Sequence, residues 1–275
     1  PCIAGFVGGD TIAVLLSLPE HTFDSLTLIL DIGTNGELVL GKNDLLYACS
    51  TAAGPAFEGA KISCGMRGAP GAIDHVTIKN GKLNLHVIGD GTPSGICGSG
   101  LLDLIACLFE LGIISHRGRL EKPVKWSEDL RESYAARFVT RDNVSALLLT
   151  DDKNGVYLSQ KDIREVQLAK AALASGIELL CQEMGVSDSE ISQVLLAGAF
   201  GTYLSPASAC RIGLIPDPLL NRIRAIGNAA GEGAKLAAYS QTALTQSEAL
   251  AKQAKFVELA TSRQFQETFL KRLNF

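Results

Sequence analysis

The sequence predicts an α/β domain. Its sheet is expected to be mixed and five-stranded, a three-strand antiparallel meander plus parallel strands. Helices flank it, and a hairpin and irregular subregion is inserted. Three observations predict this. Residues 26–51 hold three short apolar runs joined by polar turns, the pattern of a meander. Residues 160 to about 184 form one long helical pattern. Two later apolar runs, 193–197 and 223–226, end in small residues and lead into helix, as parallel βα units do.

The elements follow in order. Residues 5–9 are Gly-rich, and Asp10 then caps a short apolar helix that runs to Leu18. Strands are expected at 26–30, 37–41 and 45–51. Ala53-Gly54-Pro55 breaks the pattern, and a helix is expected across 56–62. Residues 65–71 are a Gly/Arg-rich loop. Residues 72–79 and 82–88 alternate as a hairpin turning at Asn80-Gly81. A second Gly-rich loop, 92–100, runs into a helix over 101–111. Residues 121–154 hold the only Trp, Trp126, and read as an irregular insertion with a short hairpin. Ser159 can cap the long helix, with Asp162 in its first turn. A short helix is expected over 206–212, and 227–231 leads into another. The tail, 248–275, reads as amphipathic helix with Phe256, Leu259, Phe269 and Leu273 near one stripe.

At 47% hydrophobic and 20% charged, 275 residues can build a real core. The net charge of −4 argues against a nucleic-acid groove or an anionic-membrane surface. No transmembrane run is evident, since the most apolar stretch, 95–115, carries Asp103 and Glu110. The chain opens at Pro1 without Met and without a secretory signal, which reads as a fragment or processed product of a cytoplasmic protein. The seven Cys show neither Cys-x-x-Cys nor an iron–sulfur spacing, so most are expected to be buried small apolar residues.

The chemistry concentrates at Asp31-Ile32-Gly33-Thr34-Asn35-Gly36. A carboxylate, glycines and a hydroxyl share the tip of a tight hairpin. Glycine allows close approach of backbone to a phosphate, and turn N–H groups form an anion-binding concavity. Asp31 would hold Mg²⁺ or a metal-bound water, since Mg²⁺ takes few carboxylates plus waters and phosphates. An ordinary Asn-Gly turn is the alternative. On the long helix, Gln160, Arg164, Gln167 and Lys170 share a face suited to adenine edges, ribose hydroxyls and phosphate. A solvated polar face is the alternative. Residues 95–100 either cradle an anion at a helix start or make a structural turn.

Taken together, the order of these elements is the β-β-β-α-β-α-β plan of an RNase H-like domain. It resembles one lobe of the sugar kinase, heat-shock chaperone and actin ATPase superfamily. The resemblance makes Asp31, Gly33, Thr34, Asn35 and Gly36 the second phosphate hairpin, binding ATP and Mg²⁺. It makes Gly198-Ala199-Phe200-Gly201 the adenosine motif, where a nucleoside lies against backbone. Gly227, Asn228 and Gly231 become the interdomain hinge. Asp10, on the helix preceding the hairpin, takes the place of the carboxylate that polarises the attacking water or holds Mg²⁺ through water. A plain cap remains compatible with that.

Longer strings narrow the resemblance: DIGTNGE, CSTAAGPAFEGAKI, GMRGAPGAID, GICGSGLLD, QKDIREVQLAKAA, LAGAFGTYL and GNAAGEGA. They resemble the C-terminal region of the reductive activators of corrinoid proteins, iron–sulfur ATPases that restore Co(I). The resemblance implies a corrinoid methyl-carrier protein as partner and ATP hydrolysis assisting uphill electron transfer. Residues 1–275 would then be the second lobe of a two-lobe ATPase, with an insertion at roughly 63–155. The first lobe and the N-terminal domain with its 2Fe–2S cluster would be absent, leaving no cluster ligands here. Two other functions stay open: a corrinoid-protein docking or homodimerisation module using the 65–71 loop and the tail, and a lobe of a small-molecule kinase.

Overall fold

A computed structural model describes residues 1–152 and 155–275. The elements in chain order are α1 (Gly9–Ser17), β1 (Thr27–Ile32), β2 (Gly36–Lys42) and β3 (Leu45–Thr51). Then come β4 (Ala72–Lys79), β5 (Lys82–Val87), β6 (Gly95–Ile96), α2 (Gly98–Glu110), α3 (Glu128–Tyr134), β7 (Phe138–Arg141), β8 (Val144–Leu148) and β9 (Tyr157–Ser159). The long helix α4 (Gln160–Met184) is followed by β10 (Gln193–Ala197), α5 (Gly198–Tyr203) and α6 (Pro206–Arg211). Last come β11 (Ile223–Gly227), α7 (Ala229–Tyr239), α8 (Gln241–Gln253), β12 (Ala254–Phe256) and α9 (Arg263–Lys271). They sort into two compact units. The first takes Pro1–Ala52, Ala172–Tyr203 and Ile215–Lys271; the second takes Ala53–Ala171, Leu204–Leu214 and Arg272–Phe275.

The first unit is a mixed sheet in the order β11-β10-β1-β2-β3-β12. β1, β2 and β3 are the antiparallel meander, and β10 and β11 run parallel to β1. Both faces of the sheet are covered, so β1 is apolar at consecutive positions: Leu28, Ile29 and Leu30 are all buried. Ile29, Val39, Leu195 and Ala197 pack with Ile12 and Leu15 of α1 and Ala229 of α7. Toward the other face, glycines let α4 come close. A Cβ on Gly36 would lie 2.2 Å from Leu173, and one on Gly176 would lie 2.3 Å from Leu38.

The sheet has a sixth strand that the sequence pattern hides. The tail expected as one amphipathic helix breaks at Ala254, and β12 pairs in parallel with β3. Three contacts with the meander hold it there. Gln253 Nε2 donates to the Asp44 carbonyl at 2.9 Å, Val257 N–H donates to the Ala48 carbonyl at 2.8 Å, and Lys255 stacks on Tyr47 at 5.3 Å. An available edge satisfies backbone groups that helix propensity alone would pair locally. The helix expected over 56–62 is a single 3₁₀ turn, Pro55–Glu58.

The second unit contains two three-stranded sheets, β5-β4-β6 and β7-β8-β9. The β4–β5 hairpin turns at Asn80 and Gly81, both at positive φ (51° and 72°), as the Asn-Gly signal requires. α2 lies so close on β4 that a Cβ on Gly100 would sit 2.1 Å from the Ile73 carbonyl. Trp126 is buried and meets Phe138 edge-on at 5.9 Å, giving the poorly patterned stretch a small core. Positions 153 and 154, the end of the expected 121–154 insertion, lie outside the described residues. At the start of α4, Asp162 is fully buried and accepts from Ser159 N–H, Ser159 Oγ, Ser63 N–H and Ser63 Oγ. Of the seven thiols, Cys2 is exposed, Cys64 is half-buried and five are buried.

Candidate functional site

Strand register assembles the site in the first unit. Asp31 pairs with Glu37 across the β1–β2 hairpin and with Ala197 on β10, and Ala197 pairs with Gly227 on β11. Glu37, Asp31, the Ala197–Gly198 junction and the Gly227–Asn228 junction therefore lie in one row. The row marks the C-terminal ends of three parallel strands, where open α/β sheets bind ligands.

The hairpin tip is Gly33-Thr34-Asn35, with Ile32 and Gly36 pairing beneath it and Gly33 N–H donating to the Asn35 carbonyl at 2.9 Å. Neither Asn35 nor Gly36 has positive φ, so this is not the ordinary Asn-Gly turn. Gly36 is there to admit Leu173. Gly33 is different: a Cβ on it would meet only the Asn35 carbonyl, at 3.6 Å. Its open side leaves backbone approachable, and Thr34 and Asn35 are exposed.

The carboxylates influence one another. Burial raises the Asp31 pKa, and the charge of Asp10 raises it further. Burial also raises that of Glu37; the Ser50 hydroxyl, 3.1 Å away, opposes the shift, and Asp10 and Asp31 add to it. Asp10 sits in the first turn of α1, whose cap is Gly8, and accepts from Thr11 N–H at 2.8 Å. It is exposed rather than the cap itself. Glu37 was not singled out in the sequence, although hairpin pairing about a three-residue tip puts 31 opposite 37.

Gly198 ends β10 at φ +82°, where a Cβ would lie 2.8 Å from Asp31 Oδ1. A side chain there would collide with the carboxylate. The expected Gly198–Gly201 loop is instead the opening of α5. Ala199 is exposed, Phe200 half-buried, and Gly201 packs on Leu196, 3.0 Å from the Cβ it lacks. Gly227 (φ +65°) lets Asn228 cap α7 by accepting from Gly231 N–H at 3.0 Å. α1 and α7 approach closely at Gly233, where a Cβ would lie 1.7 Å from the Ala13 carbonyl.

The polar face of α4 is mostly spent on the fold of the second unit. Gln160 donates to the Gly118 carbonyl and accepts from Leu120 N–H, both at 2.8 Å. Gln167 is buried and donates to the Leu273 and Arg117 carbonyls. Lys170 is buried, donates to the Asn274 carbonyl, and lies over the Phe275 ring at 5.6 Å. Only Arg164 of the four is exposed. The missed signal was distance: the Gln167 partners Arg117 and Leu273 lie 50 and 106 residues away, and the Lys170 partner Asn274 lies 104 away. In the 95–100 loop, Gly95 makes room for Met66 and Gly100 for β4, which is structural packing.

Among the described residues, no three His, Cys, Asp or Glu side chains converge as a metal cage. Nor is any helix among them long and apolar enough to cross a membrane.

A family model described as the C-terminal domain of RACo, the ASKHA domain, matches residues 25–275. The chain belongs to this family. The ASKHA domain is the superfamily fold that the three spaced motifs resemble. A solved structure titled "Reductive activator for corrinoid,iron-sulfur protein" superposes with TM-score 0.88 at 33% identity, over all of this chain and 44% of that one. The corrinoid activation enzyme RamQ of Eubacterium limosum is 40% identical, over 98% of this chain and 46% of RamQ. The [Co(II) methylated amine-specific corrinoid protein] reductase of Methanosarcina barkeri is 25% identical, over all of this chain and 51% of the reductase. This family member spans about half the length of the curated relatives it matches.

Proposed function

We propose that this chain is the C-terminal nucleotide-binding lobe of a reductive activator, in which ATP hydrolysis assists return of a corrinoid partner from Co(II) to Co(I). The observation that carries the nucleotide reading is the row of Glu37, Asp31 and Gly198 beside the open Gly33 turn. The backbone of Gly33, Thr34, Asn35 and Gly36 is assigned to the ATP phosphates. The donor set fits Mg²⁺, a hard cation that takes one or two carboxylates and completes its shell with water and phosphate oxygen. Asp31 would hold it, with Asp10 acting through water, and the cation would offset the burial and the added carboxylate repulsion that raise the Asp31 and Glu37 pKa values. Asp10, exposed, is assigned the attacking water. The nucleoside is assigned to the Gly198–Gly201 segment, with Gly227, Asn228 and Gly231 as the hinge. Arg164 is the residue of the α4 set still available to a ligand. Electron transfer and its iron–sulfur centre are assigned to the longer protein that the relatives exemplify.

In the docking reading the last three residues of the tail are already engaged, Leu273, Asn274 and Phe275 being held by Gln167, Lys170 and the His116 carbonyl, whereas Leu270 stays exposed. Calorimetric titration tests the nucleotide reading. The chain is expected to bind Mg-ATP weakly, to lose binding with EDTA or in Asp31→Asn, and to turn over negligibly. Unchanged binding in Asp31→Asn would overturn the site. Brisk hydrolysis by these residues alone would overturn the need for a second lobe.

A further inference from the structure

A second cluster lies on the β4–β5 hairpin and shares no residue with the set assigned above. His75 and His86 are cross-strand partners, and the register slips between Ile73 and His75. That slip is a β-bulge at Asp74, which turns adjacent side chains toward the same side of the strand. The rings of His75 and His86 lie 6.4 Å apart. Each has one nitrogen occupied by a carboxylate: His75 Nδ1 meets Asp103 Oδ2 at 3.1 Å, and His86 Nδ1 meets Asp74 Oδ1 at 2.5 Å.

In the neutral imidazole a carboxylate beside Nδ1 favours the proton there, which leaves Nε2 with a free lone pair. This is how proteins fix the tautomer of metal-binding histidines. The two aspartates are themselves held. The Asp103 carboxylate is buried and accepts from Ser208 Oγ at 2.6 Å, while at Asp74 it is the backbone carbonyl that is held, by Ser99 Oγ at 2.8 Å. The imidazoles stay accessible, with side chains 44% and 59% exposed. Asp74, Asp103 and Asp90 make the surroundings acidic, which favours a cation over an anion.

We propose that His75 and His86 form a surface site for a divalent transition-metal ion, bound through Nε2 of each ring with water completing the shell. Imidazole selects ions of the zinc, nickel and copper type over Mg²⁺ and Ca²⁺. With metal about 2 Å from each nitrogen, the ring centroids stand about 5–6 Å apart. The 6.4 Å between the two rings stands near that separation. Among the described residues no third side chain joins as a direct ligand, so the site is open and exchangeable. Protons compete with the metal for both imidazoles, so affinity falls on acidification.

Copper(II) is the probe, being the most tightly held of the first-row divalent ions. Titration followed by electron paramagnetic resonance is expected to show one ion per chain with two equivalent nitrogen ligands. His75→Gln and His86→Gln each lower affinity at least about tenfold, and the double variant abolishes the signal. Asp103→Asn, a positioning change, weakens binding about tenfold at unchanged circular dichroism. Binding that survives His75→Gln/His86→Gln overturns the proposal and moves the ion to Cys2, His21 or His116. A one-nitrogen signal overturns it as well.

Discussion

Asp31 carries a burden that its strand neighbours do not. Leu28 and Leu30 gain by burial, whereas burial and Asp10 hold the Asp31 carboxyl above its ordinary 3.8. The folded protein therefore binds that proton more tightly than the unfolded chain. The resulting stabilisation is full below pH 3.8 and is lost as pH rises through the folded value. At neutral pH the ionised group opposes folding, a common state of affairs at functional sites. Asp31→Asn is expected to raise Tm by a few degrees at pH 7 and to leave it unchanged below pH 3.8. Melting curves across that range check it, and an unaltered Tm at pH 7 would count against a strained carboxylate. Asp31 itself was legible in the sequence because Asp-Ile-Gly-Thr at the end of an apolar run is a local pattern. Glu37 was not, because its role depends on which residue the hairpin sets opposite.

Among the elements, the α1–α7 contact depends on one absent side chain. Gly233 lets the Ala13 carbonyl occupy the space a Cβ would need. Both atoms in that clash belong to or adjoin backbone, so relief requires the helices to part. Gly233→Ala is expected to cost about 1–3 kcal/mol, read as a lowered urea midpoint with unchanged slope. Asn228→Ala, which removes the α7 cap, is expected to cost about 1 kcal/mol. A Gly233→Ala protein as stable as the parent would mean that the helices do not meet as described. Local patterns served well for the β4–β5 hairpin, where Asn80-Gly81 both permits and demands the turn. They failed for β12, whose three residues leave a helical pattern to complete the edge of β3.

At the scale of the whole molecule, the chain passes repeatedly between its two units, and its last four residues belong to the second. Lys170 anchors them through Asn274 and Phe275. Burial, with Arg272 adding, lowers its pKa from 10.5 to about 8. The unfolded chain then binds more protons between those values, so this group's contribution to stability rises as pH climbs from about 8 to 10.5. Buried thiols act in the opposite sense above pH 9, with Cys107 pushed up to about 11 and Cys181 to about 12. The informative quantity is therefore the difference between parent and Lys170→Met. Lys170→Met is expected to remove the rising component and to speed amide exchange at Phe275. An identical pH dependence in both proteins would show that Lys170 is not the titrating group.

By itself the sequence determined the alternation of strands and helices, the meander, the hairpin that follows Asp31 and the family. Each of these is written within one hairpin, one helix or one contiguous motif. Tertiary structure alone decided which polar groups remain for a ligand. Gln160, Gln167 and Lys170 have the composition of a nucleoside-binding face, yet Gly118, Leu273 and Asn274 take their hydrogen bonds. A buried polar group must be paired wherever its partner lies in the chain, and a partner a hundred residues distant leaves no mark on the local pattern. Strand pairing likewise put Glu37, Asp31, Ala197 and Gly227 in one row, because register depends on hydrogen bonds between strands rather than on any single strand.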